Sequence, residues 1–512
     1  LQLLSEYVQK GDITTYQAIA MTKDILFNNS NTLYNLHYQA TFDETLSEFP
    51  KQLTFNTKSA RASPHPSPGF PPIPPAGSTT QPATSGPVDP RSGSPYEPPT
   101  FPPPPKAPQV YDNQVFDEFM KRNTEVRYVY VQWLDYMAIV QARIVPIKEF
   151  TRMVHEGDRI RISSDKNMES PQSDTGLYAE PDLRSLRRTH DKDPLPSATV
   201  FSYWRSESGA PHPSCPRTSL ETLINTLQYT HATTLLIGFE IGVTFLARNT
   251  AIVTTKDQHV AFLPLTATHA RGNLTLPFVS DILLALDKGD IDIQQFHAAE
   301  SGQGQYILTL PPQPPLLAID TLVQARQTIT QIAALHNLHA TFHPNPFINT
   351  ARHDDDVEQE TSHLQARISV HPPTRDTQFF VAGVLAHLPA ICAFSMPATT
   401  SSSYAFAKQK DRQIQPLRHL KNGTWELDCL NGVANMYLAI AAIIGAGLLG
   451  LQSAGVEQED VNRRVEMPRE FGDAIRALNA DGPLREVLDH EVVGEYVRAI
   501  EDEWGILSDM GE

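Results

Sequence analysis

Residues Trp425–Gln452 read WELDCLNGVANMYLAIAAIIGAGLLGLQ, a polar opening followed by the longest apolar run in the chain. Between Val433 and Leu451 the only strongly polar side chain is Asn435. A run of roughly 18 apolar residues reaches the length of a membrane span. The same run also suits a helix buried on all sides inside a large globular core. Richness in Ala and Gly, a start at Asn and Tyr, and the lack of flanking basic residues and an aromatic belt favour the buried helix.

The chain has 512 residues, enough for about three domains or one large catalytic domain with additions. Its net charge of -17 argues against a nucleic-acid partner, which calls for a clustered basic face. The only compact basic cluster, RSLRR at Arg184 to Arg188, reads as a solvated loop. Cys215, Cys392 and Cys429 lie far apart with no CxxC or zinc-type spacing, so reduced, mostly buried thiols and a cytoplasmic location are expected. The sequence starts at Leu1 without a signal-peptide pattern and reads as a fragment.

Taken in order, residues 1–56 carry helical periodicity. Leu3, Leu4, Tyr7 and Val8 share a face up to Gly11, and a second apolar face runs from Ala18 to Phe27. From Pro64 to Pro108 lie 18 of the chain's 42 prolines, mixed with Ser, Gly and Thr, so residues 57–108 are expected to be a linker without a core of their own. A ligand for SH3 or WW domains is the functional alternative for that tract. After Glu125 the pattern alternates. VRYVYVQWLD and AIVQARIVPIKEF read as two strands about a turn near Asp135 and Tyr136, followed by a short helix near Lys148 to His155. With ATVFSYW as a further strand, a small mixed sheet is expected between about 109 and 210.

Several stretches resemble known families. EYVQKGDITTYQAIAMTKDILFNNSNTLYNL is similar to the closing helices of an amidohydrolase-like barrel that precedes other domains in some fungal fusion proteins. QWLDYMAIVQARIVP, EPDLRSLR and HPSCPRTSLETLI resemble the amino-terminal beta-grasp domain of glutamine synthetases and its passage into the catalytic domain. LIGFEIGVTF, FHAAESGQGQYIL, IAALHNLHATFHPNPF, AHLPAICAFSMPATTSSSYAF, the Trp425–Gln452 stretch and MPREFGDAIRALNADGPLREVLDHEVVGEYV follow in that family's order. The resemblance implies an α+β protein: a beta-grasp domain over 109–210, and over 211–512 a catalytic domain with a curved antiparallel sheet flanked by helices. Ring-shaped homo-oligomers are implied as well.

The resemblance also implies a reaction. ATP activates the side-chain carboxylate of glutamate as a gamma-glutamyl phosphate, and ammonia or an amine displaces the phosphate. Hard divalent ions, Mg2+ or Mn2+, then align phosphate oxygens, and cationic side chains hold the transferring group. Carried over by motif, Glu240 of FEIG, Glu300 of ESGQGQYI and Glu426 of WELD stand at metal-ligand positions. Gly242 and Ile307 stand where two further glutamates belong, and Gln365 replaces a metal-binding histidine. Arg367 and Ser369 are the expected cofactor contacts in TSHLQARIS, and Arg412 and Arg418 match the arginines that meet phosphates. Ser403-Tyr404-Ala405-Phe406 lacks the family's substrate arginine, and Asp428 reverses the charge of another. PNP at Pro344 to Pro346 replaces Pro-Lys-Pro, and the loop His353 to Asp356 reads as solvated and acidic.

Two readings of function stay open. One is an ATP- and Mg-dependent ligase holding one metal on Glu240 and Glu426, with the second site reduced to Glu300. The other is a catalytically inactive relative that keeps the fold for assembly, ligand sensing or developmental signalling, its glutamates held by Arg367, Arg412 or Arg418 in an ion-pair network. Under either reading Trp425–Gln452 is a core helix behind the site, matching the family's Asn-Pro-Tyr-Leu helix as Asn435-Met436-Tyr437-Leu438.

Overall fold

The computed structural model describes residues 109–162, 176–190, 192–193, 195–247, 275–299, 305–343, 364–373, 376–397, 416–420, 423–453 and 467–511. All of them fall in one unit, Tyr96–Glu512. The amidohydrolase-like segment and the proline-rich linker lie outside the described residues.

Helix α1 (Gln109–Arg122) leads into a hairpin of β1 (Tyr128–Leu134) and β2 (Val140–Pro146), then α2 (Ile147–Glu156). Strands β3 (Ile160–Ile162), β4 (Leu177–Pro181), β5 (Arg187–Arg188) and β6 (Ser197–Arg205) complete a six-stranded sheet, ordered β2-β1-β6-β4-β3 with β5 also on β6. The pairing of β1 with β6 is parallel and the rest is antiparallel, so the sheet is mixed, as the alternation implied. The turn at Asp135 is held by the Asp135 carboxylate, which accepts from the Ile139 N–H at 2.9 Å.

After α3 (Pro216–His231) the chain enters β7 (Thr234–Ala247), the longest strand. There follow α4 (Thr275–Lys288), β8 (Gln295–Ala298), β9 (Gln305–Thr309), α5 (Pro315–Leu335), β10 (Leu338–Thr341) and β11 (Leu364–His371). Helices α6 (Asp376–Ala386) and α7 (Leu388–Ser395) precede β12 (Leu417–His419) and β13 (Thr424–Leu430). The second sheet has seven strands, ordered β12-β13-β11-β7-β9-β8, with β10 also on β7, and every pairing is antiparallel. Along β7, Leu235, Ile237, Phe239, Ile241 and Val243 are buried against the helical layer, while Glu240 and Gly242 point from the opposite face.

Helix α8 (Met436–Gln452) is the core helix the opening stretch implied. Asn435 caps it, accepting from Tyr437 N at 3.1 Å and Leu438 N at 3.4 Å, and its Nδ2 donates to Asp135 O in the β1–β2 turn at 2.8 Å. Its leucines and isoleucines from Leu438 to Leu448 are buried, each contributing about 1.5–3 kcal/mol relative to exposure. Small residues let α6 and α8 touch backbone to backbone: a Cβ on Gly383 would run into Ala446 O, and one on Gly450 into Phe379 O. Among the described residues no single helix is long and apolar enough to cross a membrane, and the α6–α7 pair, long enough only jointly, is bent by 76°. Three further helices, α9 (Phe471–Ala480), α10 (Gly482–Leu488) and α11 (His490–Gly511), close the chain.

One buried polar knot joins the two sheets' layers. Arg217 on α3 donates through Nη2 to Asp182 at 2.7 Å and to Asp320 at 2.9 Å, and through Nη1 to Asp320 and to Tyr437 OH at 3.0 Å. Tyr437 in turn donates to Asp320 at 2.6 Å. Exposures are 4% for Arg217, 5% for Asp182 and 3% for Asp320, so the guanidinium is sealed from water. Burial pushes the Asp182 carboxyl up, but Arg217 and Arg184 outweigh it and hold it below the usual carboxylate range.

The basic cluster Arg184 to Arg188 belongs to this joint instead of a solvated loop. Arg184 Nε donates to Asp182 at 2.8 Å and its Nη2 to Tyr203 OH at 3.0 Å. Arg187 donates to Asp290 O and, at 3.1 Å, to Thr321 on α5, while Arg188 pairs with Glu125 at 3.0 Å. Residue-type counting sees the charges but not the carboxylates that tertiary folding brings to them. Cys215, Cys392 and Cys429 are free thiols, all buried.

Candidate functional site

The site-bearing positions meet on the face of the second sheet opposite its helices, because β11 lies between β7 and β13 and period-two alternation sends matching positions the same way. In register, Arg367 of β11 faces Gly238 of β7 on one side and Glu426 of β13 on the other, and Arg418 of β12 faces Glu426. A row Gly238, Arg367, Glu426, Arg418 thus crosses four strands. The adjacent row sets Gln365 beside Glu240, and Glu240 beside Thr309 of β9.

Charge orders these rows. Arg367 Nη2 donates diagonally to Glu240 Oε2 at 3.0 Å, and its Nε lies 3.6 Å from Glu426 Oε1. Arg418 donates to Glu426 Oε2 through Nε at 3.0 Å and through Nη2. The hydrogen bonds and charge of Glu426 raise the Arg418 pKa above its ordinary value. The carboxylates are covered, with side-chain exposures of 7% for Glu426 and 15% for Glu240, whereas the arginines reach solvent at 63% for Arg418 and 44% for Arg367. Two guanidiniums therefore balance two carboxylates.

Gln365 and Asp428, which the resemblance implied to be replacements, are in contact. Gln365 Nε2 donates to Asp428 Oδ1 at 3.0 Å. A register shift between β11 and β13 makes this contact: Ala366 pairs with Leu427 but Leu364 with Leu430, so β13 carries an extra residue where Asp428 lies. Bulge and partner are invisible in the sequence, where Gln365 and Asp428 read only as separate substitutions. Ser369 shares a 2.9 Å hydrogen bond with Thr424, one row further along. Gly242 and Ile307 are cross-strand partners on β7 and β9 and bring no metal donor. Glu300 and Arg412 lie outside the described residues, as do Ser403 to Phe406, Pro344 to Pro346 and His353 to Asp356.

A hard divalent ion takes carboxylate and carbonyl oxygens and avoids an adjacent cation. Here Glu240 accepts from a guanidinium, and Glu426 accepts from one and lies beside another. The described donors do not fit such an ion. Among the described residues no group of three or more His, Cys, Asp and Glu is placed to hold a metal.

Sequence reading also passed over the residues of the buried knot. Asp320 lies in LLAIDTLVQA on α5, a carboxylate amid apolar neighbours, and a buried carboxylate needs a cation. That was the available signal, and Arg217 is the partner it called for.

Comparison with known proteins places this geometry. The family model described as glutamine synthetase, catalytic domain, matches residues 213–406 and 412–510. Protein fluG of Emericella nidulans is 29% identical over 99% of this chain and 55% of its own length, so the chain spans about half of that relative. The gamma-glutamylpolyamine synthetase GlnA3 of Streptomyces coelicolor is 28% identical, covering 62% of this chain and 74% of its own. The solved structure of GmaS without ligand superposes with a TM-score of 0.63 at 19% identity, covering 76% of this chain and 96% of that one, a likeness of fold.

Proposed function

The chain belongs to the glutamine synthetase family, and from that premise we propose that it keeps the family's fold while having given up metal-assisted phosphoryl transfer at the Glu240–Glu426 face. Its role on this reading is that of an oligomeric scaffold, ligand sensor or developmental signalling module. One observation carries the reading: Arg367 stands between Glu240 and Glu426, where a divalent ion would have to go. Enzymes of this family use ATP and divalent metals, bind glutamate and ammonia, and often form oligomers. A homo-oligomeric ring and a cytoplasmic location are part of the proposal for this chain. So are its divisions: an amidohydrolase-like remnant over 1–56, a linker over 57–108, a beta-grasp domain over 109–210 and a catalytic-type domain over 211–512.

The second reading is ATP-dependent ligation of ammonia or an amine to the side-chain carboxylate of glutamate or a related acid. Likeness to a protein named gamma-glutamylpolyamine synthetase favours it. It would draw on Glu240, Glu300 and Glu426 for Mg2+ or Mn2+ and on Arg412 and Arg418 for the phosphates. Supplying the purified chain with ATP, glutamate, hydroxylamine and either ion, then measuring gamma-glutamyl hydroxamate and phosphate release, separates the two. The expected result is no phosphate release that depends on both glutamate and amine. Phosphate release and hydroxamate formation that require both glutamate and hydroxylamine would establish the ligase reading instead.

A further inference from the structure

Arg367 is held by both carboxylates, and its charge arrives on the chain itself. Its Nη2 is 3.0 Å from Glu240 and its Nε 3.6 Å from Glu426, on neighbouring strands to either side of β11. Resting on the reading that metal-assisted chemistry has been given up at this face, we infer that Arg367 is a tethered cation substituting for a divalent ion. Its removal would reopen a cation site on Glu240 and Glu426.

The physical basis is local. Glu240 and Glu426 are mostly covered and both lie against Arg367, and covered like charges that share a neighbour favour a cation between or beside them. A free ion meets that need at a concentration set by the medium. A guanidinium on the central strand meets it at an effective concentration of order millimolar or above, set by the length of its own side chain. An entering dication must displace Arg367 or sit against it, and like charges that close repel more strongly in a partly desolvated site than in water. Arg418 clamps the outer oxygen of Glu426, so in its presence only the oxygens facing Arg367 could be released. The chemical class the reopened site would take is a hard divalent cation on two carboxylates with water completing the shell.

The test uses the full chain without ATP or glutamate, so it is independent of turnover. Mn2+ is titrated by electron paramagnetic resonance into wild type, Arg367→Ala, and each of these with Glu426→Gln added, and the reported quantity is the binding that Glu426→Gln removes. Wild type is expected to show none. Arg367→Ala should bind Mn2+ in this Glu426-dependent component at least tenfold more tightly than the weakest binding the titration would detect in wild type, and Mn2+ should raise its Tm. Arg367→Lys, which keeps a tethered cation and tests the idea if Arg367→Ala does not fold, should exclude Mn2+ as wild type does. Glu426-dependent Mn2+ binding to wild type or to Arg367→Lys, or no gain in a folded Arg367→Ala, would overturn the inference. Hydroxamate formation bears on the proposed function and leaves this titration untouched.

Discussion

The knot around Arg217 and the row around Arg367 use one chemistry, guanidinium against carboxylate, in opposite settings. Arg217 is sealed at 4% exposure between Asp182 and Asp320, while Arg367 is 44% exposed beside Glu240 and Glu426. Breaking a sealed pair strands a charge in a medium that cannot solvate it, whereas an exposed partner is replaced by water and salt. The contrast separates what holds the fold from what can change on it. The sealed pair joins α3, α5, α8 and the loop that follows β4, and the open pair lines the face of the second sheet opposite its helices.

The largest effect should come from Arg217→Met. Leaving Asp182 and Asp320 without their cation should destabilise the chain by about 3–5 kcal/mol, read from the urea midpoint. A loss under about 1 kcal/mol would dissolve the contrast. Tyr437→Phe removes a donor to the Asp320 carboxylate and should cost about 1–3 kcal/mol in the same measurement. Arg367→Ala should change stability by no more than about 1 kcal/mol, an effect that shrinks as salt is raised. If Arg367→Ala instead rivals Arg217→Met, the row is a structural element like the knot.

The smallest effect lies at the rim of the joint. Asp281 of α4 is held below the usual carboxylate range by hydrogen bonds from Lys192 and His336, the latter at 2.8 Å. A depressed carboxyl contributes stability that is present above its unfolded pKa, near about 4, and lost as pH falls through its lower folded value. The Tm difference between wild type and Asp281→Asn should therefore be present at neutral pH and vanish on acidification. Because the group is largely solvated, that difference should correspond to less than about 1 kcal/mol.

The fold was legible where pattern and packing agree. Alternation in LIGFEIGVTF separated the Glu240 face from the core face, and the unbroken apolar run after Asn435 marked α8. Alternation also put Glu240 on the sheet face where the structure sets it beside Arg367, whereas a site role for Glu240 and Glu426 is implied by the family resemblance alone. What stayed hidden depends on register and on contacts across more than a hundred residues. The bulge that turns Asp428 toward Gln365 is a relation between two strands, and the Arg217–Asp320 pair spans 103 residues. Neither strand nor helix carries such a relation in its own periodicity.

Gly432 follows β13, and any Cβ there would strike the carbonyl of Phe342 at the end of β10. Beneath it the Phe342 ring lies 5.4 Å from Arg326 of α5, whose burial pulls its guanidinium down to about 10. Two strand ends are thereby riveted backbone to backbone beside the core. The consequence is one of tolerance: at Gly432 even a methyl group exceeds the space left between the ends of β10 and β13, so the position admits glycine alone unless the two strand ends move apart.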